Sequence, residues 1–262
     1  DGLQDYFLGG RNIPWWAALL SLVATTISAA TFLGAPEQGY TRDMTYLQFS
    51  IGSIAAQFVV ASVFVAAFYR YRVYTVYGYL TLRFGMPTQT TTAAVFLLGR
   101  LFASGARLFI ASIAIEVATG LDMSTAIVAL GIVAVAYTWF GGIKAVIWTD
   151  VLQGVALIGG GLICLPILVD GIPDGLSGLI ATARQHDKLS FGVSAGDVAG
   201  HTMGATMLTK LIVFMQILGT DQTTVQRYMA ASSRREANRA LWIGGLLTFP
   251  VWVYFLFVGT AL

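Results

Sequence analysis

Six ionisable side chains lie inside stretches that are otherwise apolar: Arg100, Arg107, Glu116, Asp150, Lys210 and Asp221. A charge in hydrocarbon is expensive, so each marks an ion path, a ligand contact or a buried pair. Asp150 opens one such stretch in A-V-I-W-T-D-V-L-Q-G, with Thr149 before it and Gln153 one turn on. Those hard oxygen ligands suit an alkali cation by the chemistry that governs calcium and magnesium sites; the alternative is a carboxylate paired with Lys144 at the membrane surface. Arg100 and Arg107 are seven residues apart and share a helix face, with Ala103 and Ser104 between them. Arg107 is nearest mid-membrane, where a guanidinium either contacts an anionic substrate or braces its neighbours. Glu116 and Lys210 lie near outer ends and Asp221 near an inner one, where snorkelling or ion pairing accounts for them.

Hydroxyl groups form a second constellation. The string S-L-V-A-T-T-I-S-A-A-T-F-L-G, Ser21 to Gly34, threads Ser21, Thr25, Thr26, Ser28 and Thr31 through a segment apolar enough to cross a bilayer. A hydroxyl in hydrocarbon needs a hydrogen-bond partner or a wet or ligand-filled cavity. Small residues here also permit close helix packing, but these hydroxyls surround most of the helix circumference, so a site and a seam are both expected. G-V-S-A-G, Gly192 to Gly196, fits a nucleophile-elbow pattern, and His186 and His201 are nearby. That motif works on a strand–turn–helix, whereas here it falls in a short external connection. No metalloprotease, phosphate-loop or dinucleotide motif is present.

The elements that must position these groups follow from composition. The 262 residues are 56% hydrophobic and 11% charged, with a mean hydropathy of +0.74, against roughly 25% charged in soluble domains. This is a polytopic membrane protein. A net charge of +2 gives no case for nucleic acid, and the single Cys164 excludes an intrachain disulfide framework and a thiolate cluster. Beginning at Asp1 and ending in an apolar run at Leu262, the sequence reads as a fragment of a longer protein.

With about 20 apolar residues per crossing, seven helical spans are expected, at Trp15–Gly34, Tyr46–Phe68, Thr92–Thr119, Ser124–Phe140, Val146–Val169, Ala205–Thr223 and Leu241–Leu262. One set of alternate ends carries Arg11, Arg70, Arg72, Arg83, Lys144, Arg227, Arg234, Arg235 and Arg239. The other carries Arg42, Arg184 and Lys188 among several acids. The basic set is cytoplasmic by the positive-inside rule, so the first span runs outward and Asp170–His201 forms an external loop. The first span is interrupted at Thr25–Gly34 and the sixth at I-L-G-T-D-Q-T-T, Ile217 to Thr224. Broken spans at matching positions of two halves point to a transporter's central site, and a five-span offset makes the halves inverted. The expected organisation is a single transmembrane domain: residues 1–170 a first inverted repeat, 171–203 an external loop, 204–262 the start of a second repeat.

The strings S-L-V-A-T-T-I-S-A-A-T-F-L-G, T-L-R-F-G, Y-T-W-F-G-G-I-K-A-V-I-W-T-D-V-L-Q-G and D-Q-T-T-V-Q-R-Y-M-A-A, in this order, resemble the sodium:solute symporter family. The resemblance covers nearly the whole chain and implies an all-α LeuT-type inverted-repeat fold with sodium-coupled alternating access. It implies a sodium site built from the backbone carbonyls of Ala24 and Ile27, completed by serines on a span that falls after Leu262. It assigns Asp150 to an additional sodium in the family's sialic acid transporters. Those transporters also use hydroxyls matching Thr26, Ser28 and Thr31, and Y-T-R-D-M-T-Y is similar to theirs. Their substrate-binding arginine falls on Ala103 and their second-span glutamine on Ser50, positions for which Arg100, Arg107 and Gln48 are candidate substitutes. Sugar transporters of the family carry Glu-Gln where this chain has Ala30-Thr31, and proline transporters carry an aspartate at Thr26, which disfavours both substrates.

The expected function is therefore a symporter of the cell membrane, using sodium to import a small organic anion such as sialic acid or a monocarboxylate, with no covalent chemistry and no nucleic-acid partner. The candidate substrate residues are Thr26, Ser28, Thr31, Arg107 and Gln48, and the candidate sodium ligands Ala24, Ile27 and Asp150. A pore would show filter-like rings around a symmetry axis, and an embedded enzyme would need a catalytic cluster at membrane depth. Neither pattern is in the sequence, and both histidines fall in the external loop.

Overall fold

The computed structural model describes residues 2–27, 29–191 and 203–262. Twelve α-helices organise the described residues, and pairing of extended backbone is confined to an isolated bridge between Ile13 and Ala231. A short α1 (Gly2–Leu8) precedes α2 (Trp15–Thr26), which starts after Pro14. Proline suits that entry because its fixed φ is helical and its missing N–H lies where no intrahelical acceptor exists. After a break comes α3 (Ala29–Thr41), and residues 15–26 and 31–41 are bent by 54°. The first span thus continues past Gly34, where the sequence places its end, because the helix runs through Pro36.

The second span is α4 (Gln48–Val59), a π-helical turn at Val60–Phe64 and α5 (Val65–Tyr71). A short α6 (Val76–Phe84) lies between it and α7 (Met86–Thr119). Next, α8 (Met123–Asp170) has 48 residues, about 72 Å of helix and roughly twice a bilayer core. It leaves helical geometry at Gly142, φ 55° and ψ −152°, where a Cβ would meet Tyr6; only glycine takes that conformation readily. The expected fourth and fifth spans flank this residue. The connection after α8 contains α9 (Gly175–Gln185), a helix not anticipated among its glycines and charges. The sixth span is α10 (Met203–Gly219), followed across Thr220 and Asp221 by α11 (Gln222–Met229), and α12 (Arg234–Ala261) completes the set. Four described helices are long and apolar enough to cross a membrane, five if the bent pair counts as one. The difference from seven lies in α8, which counts once, and in the short α10.

Lipid tails are as apolar as leucine, so close packing and hydrogen bonds, rather than exclusion from water, must hold such helices together. Glycine supplies the approach. A Cβ at Gly39 would run into the Leu256 carbonyl and one at Gly259 into the Pro36 carbonyl, which locks α3 against α12. Gly52 lies likewise against the Met207 carbonyl and joins α4 to α10. At the centre, α2 touches α8, α11 and α12, and its Leu22 and Val23 join a core with Ile147, Val225, Tyr228 and Leu241. By contrast α7 and α8 bury only 6% and 11% of their most apolar windows, as helices facing lipid or other spans do.

Candidate functional site

The break in the first span lies among the chain's own hydroxyls. Thr25 Oγ1 donates to the Ser21 carbonyl at 2.7 Å and Thr26 Oγ1 to the Leu22 carbonyl at 2.9 Å. Such back-bonding competes with the helical ladder and bends helices. Ile27, with φ −99° and ψ 79°, stops α2, its N–H donating to the Val23 carbonyl. Across the gap, Thr31 Oγ1 donates to the Thr26 carbonyl at 3.2 Å. The last carbonyls of a helix lack intrahelical donors and form the negative end of its dipole, so the C-terminus of α2 suits a cation.

A cavity of about 200 Å³ opens at that end, lined by Ala24 and Ile27 of α2, Arg100 and Arg107 of α7, Asp150 of α8 and Arg227 of α11. It is termed inner, and its counterpart across the break outer, after the orientation expected from the basic loops. Asp150 is not paired with Lys144, which instead binds Asp5 of α1 at 2.6 Å. Its partner is Arg227, whose Nη2 lies 2.9 Å and Nε 3.0 Å from Asp150 Oδ2. Ser21 Oγ donates to the same oxygen at 2.5 Å, and Arg227 Nε also reaches Ser21 Oγ at 3.0 Å. All these contacts fall on Oδ2; Oδ1 makes no hydrogen bond among the described residues. The carboxylate is therefore held rigidly through one oxygen, leaving the other available as a ligand.

Some of the surrounding charges are paired and others are not. Arg100 sits 3.7 Å from Asp221, which also caps α11 through the N–H groups of Thr223 and Thr224. Arg107 lines the cavity with no ion pair among the described residues. Arg227, sorted by sequence with the cytoplasmic loop charges, is 9% exposed. Among the described residues Lys210 makes no ion pair either, its ammonium lying 4.3 Å from the Phe49 ring centre.

On the other side of the break, an outer cavity of about 420 Å³ is lined by Thr31, Glu37, Arg42, Tyr46, Phe49 and Trp252 among others. Tyr46 packs on Phe49 at 4.5 Å and on Trp252 at 4.8 Å between ring centres, an apolar shelf beneath a polar rim. Thr26 faces neither of these spaces. Its side chain lines a much narrower one with Gln57 of α4 and Thr248 of α12.

Residues 6–262 match the model of the sodium:solute symporter family. The chain belongs to the sodium:solute symporter family. It is 30% identical over 261 residues to the sodium/sialic acid symporter SiaT of Proteus mirabilis (strain HI4320), a match covering 99% of this chain and 52% of that protein. It is 29% identical over 261 residues to human sodium-coupled monocarboxylate transporter 1, covering 99% of this chain and 42% of that one. A solved structure of a Na+-coupled sialic acid symporter, in a substrate-bound outward-open state with a novel Na+ site, superposes with a TM-score of 0.90 at 30% identity, over 98% of this chain and 54% of that one. This symporter-family chain thus has the LeuT-type inverted-repeat fold of a multi-pass membrane protein, and it spans about half the length of the curated relatives it matches.

In this family member the residues singled out by sequence fall into separate groups. Ala24, Ile27, Asp150 and Arg107 share the inner cavity, Thr31 lines the outer one and Thr26 the narrow one. Ser28, Gly192 to Gly196 and His201 lie outside the described residues. Gln48 donates through Nε2 to the Phe191 carbonyl at 2.6 Å and lines none of the three spaces. Sequence reading missed Ser21 and Arg227 as partners of Asp150. The signal was D-Q-T-T-V-Q-R, an arginine six residues past the cap of a helix that follows a broken span.

Proposed function

We propose that the protein to which this chain belongs is a sodium-coupled symporter that imports a small organic anion by alternating access. The observation that carries the reading is the pair of cavities on opposite sides of one helix break, the inner one joining the negative end of α2 to an oxygen of Asp150 and the outer one joining Thr31 to an aromatic shelf. One sodium would bind at the carbonyls of Ala24 and Ile27 and an additional sodium at Asp150 Oδ1, with Arg227 and Ser21 fixing the other carboxylate oxygen. The solute would enter against Thr31. Residues 1–170 would form the first inverted repeat, 171–203 an external loop, and 204–262 the start of the second.

Sialic acid, the substrate named for SiaT, is favoured over a short monocarboxylate by size. The outer cavity of about 420 Å³ lies in the 300–1,000 Å³ range of ligand sites that enclose ring-sized molecules. Its shelf of Tyr46, Phe49 and Trp252 offers a surface for the apolar face of a sugar ring. Arg107, on the inner cavity, would then meet the carboxylate on its way inward rather than at first contact. Competition for labelled sialic acid uptake by the full-length protein, using unlabelled sialic acid, lactate, pyruvate and galactose, tests this. Sialic acid alone should compete at low concentration, and stronger competition by lactate or pyruvate would transfer the reading to monocarboxylates.

A further inference from the structure

Gln57 is 8% exposed, and its amide forms no hydrogen bond among the described residues. Neither amide atom is fully enclosed by protein, so the amide touches space that a water molecule can reach. The amide lies flat on Gly245 of α12, where a Cβ would come within 2.9 Å of Cδ, Nε2 and Oε1 together. Glycine at that position is what admits the amide between the helices. Its polar end lines a cavity of about 10 Å³ together with Thr26 and Thr248, close to the smallest space, about 10–15 Å³, that holds one water molecule.

The hydrogen-bonding capacities around this space match a water. Thr26 Oγ1 spends its proton on the Leu22 carbonyl at 2.9 Å and Thr248 Oγ1 on the Gly244 carbonyl at 2.7 Å. Both hydroxyl oxygens are left as acceptors. Gln57 brings two N–H donors. A water can donate to both threonines and accept from Gln57, the usual three bonds of a buried water. An alkali cation fits less well, since the lining otherwise consists of apolar groups such as Leu22, Leu218 and Leu241, with no carboxylate.

We propose that this cavity binds one water molecule that ties α4 and α12 to the last residue of α2, making Gln57 a positioning residue for the break. Thr26 directly precedes Ile27, whose turn closes α2 beside the inner cavity. Fixing Thr26 therefore fixes the direction of the carbonyls offered there. The transport consequence rests on the sodium reading above, whereas the water site does not.

Two measurements on the full-length protein separate them. First, thermal unfolding in sodium-free detergent is compared for wild type, Thr26→Val, Gln57→Met and the double variant. A shared water makes the double shift in midpoint clearly smaller than the sum, because either change removes the bridge; additive shifts overturn the proposal. If Gln57→Met does not fold, Thr248→Val replaces it in the same cycle. Second, Gln57→Met should raise the sodium concentration for half-maximal uptake at least threefold and leave solute half-saturation at saturating sodium unchanged. A change in solute half-saturation alone means that Gln57 touches solute and overturns the positioning role. Stabilisation of wild type by sodium that is absent in Gln57→Met even at sodium concentrations that saturate its uptake makes the ligand a cation and overturns the water. Sodium-independent uptake by wild type would refute the symporter reading, and the unfolding cycle would still decide the water site.

Discussion

Asp150→Asn changes one oxygen to nitrogen, and the structure says which way the new amide must turn. Both partners at Oδ2, Arg227 and Ser21, are donors, so the amide oxygen has to face them. The NH2 group then points to where Asp150 Oδ1 now stands. A cation there loses an oxygen ligand, loses a unit charge and meets a hydrogen-bond donor. A unit charge about 4 Å away is worth ~4 kcal/mol at an effective dielectric constant near 20. Half of that, about 2 kcal/mol, already corresponds to a roughly 30-fold rise in the sodium concentration for half-maximal uptake. The assay is uptake of labelled solute by full-length protein in proteoliposomes over a sodium series, with reconstituted protein quantified for each variant. Lys144→Gln serves as control, since Lys144 pairs with Asp5, and it should leave the curve in place. An unchanged sodium curve in Asp150→Asn, or an equal shift in Lys144→Gln, would refute the assignment of Asp150 to the cation path.

Arg227→Gln leaves a carboxylate without its ionic partner in a pair whose side chains are 10% and 13% exposed; it should destabilise by about 3 kcal/mol, and Asp150→Asn/Arg227→Gln by clearly less than the sum of the two singles, read from thermal midpoints. Thr31→Val removes a hydroxyl from the outer cavity at nearly constant shape and should weaken solute binding by roughly 0.5–1.5 kcal/mol, measured at saturating sodium; unchanged affinity would remove Thr31 from the solute path. Arg107→Lys keeps charge but not the planar fork, so it should slow carboxylate uptake without lowering the unfolding midpoint; a lowered midpoint with normal uptake would make Arg107 a brace. Tyr77, on α6, has a buried hydroxyl without a partner among the described residues, and burial together with nearby Asp221 pushes its pKa up to about 12. The fold therefore prefers the neutral phenol, and that preference is whole below about pH 10 and lost as pH rises through about 12. Tyr77→Phe should match or exceed wild-type stability at neutral pH, by up to about 1 kcal/mol, and should flatten the loss at high pH.

Hydropathy located the spans because a bilayer demands about 20 apolar residues per helical crossing, and the paired breaks were legible from hydroxyls and glycines that a plain span would not carry. Helix ends were less legible. Pro36 removes the N–H that would meet the residue 32 carbonyl, yet α3 continues to Thr41 because it is packed along α12 at Gly39 and Gly259. Of the two glutamines of α4, the sequence singled out Gln48, by its nearness to Ser50, and not Gln57. Gln48 and Gln57 are nine residues apart, about half a turn out of phase at 100° per residue, and only the packing against α12 shows that Gln57 is the one facing the break. The Asp150 partner was hidden for another reason: Arg227 is 77 residues away along the chain, and a residue that looks like a loop charge in sequence is carried inward by α11. Asp150 itself was legible, because a carboxylate at the mouth of an apolar run has few inexpensive explanations.

Coupling to sodium is the central claim, and a gradient experiment tests it most directly. Full-length protein in proteoliposomes is given labelled sialic acid with sodium outside and potassium inside, and then with equal sodium on both sides. Sodium coupling requires transient accumulation above the external concentration only while the sodium gradient lasts. Equal uptake with choline replacing external sodium, or filling that never exceeds equilibrium, would contradict it.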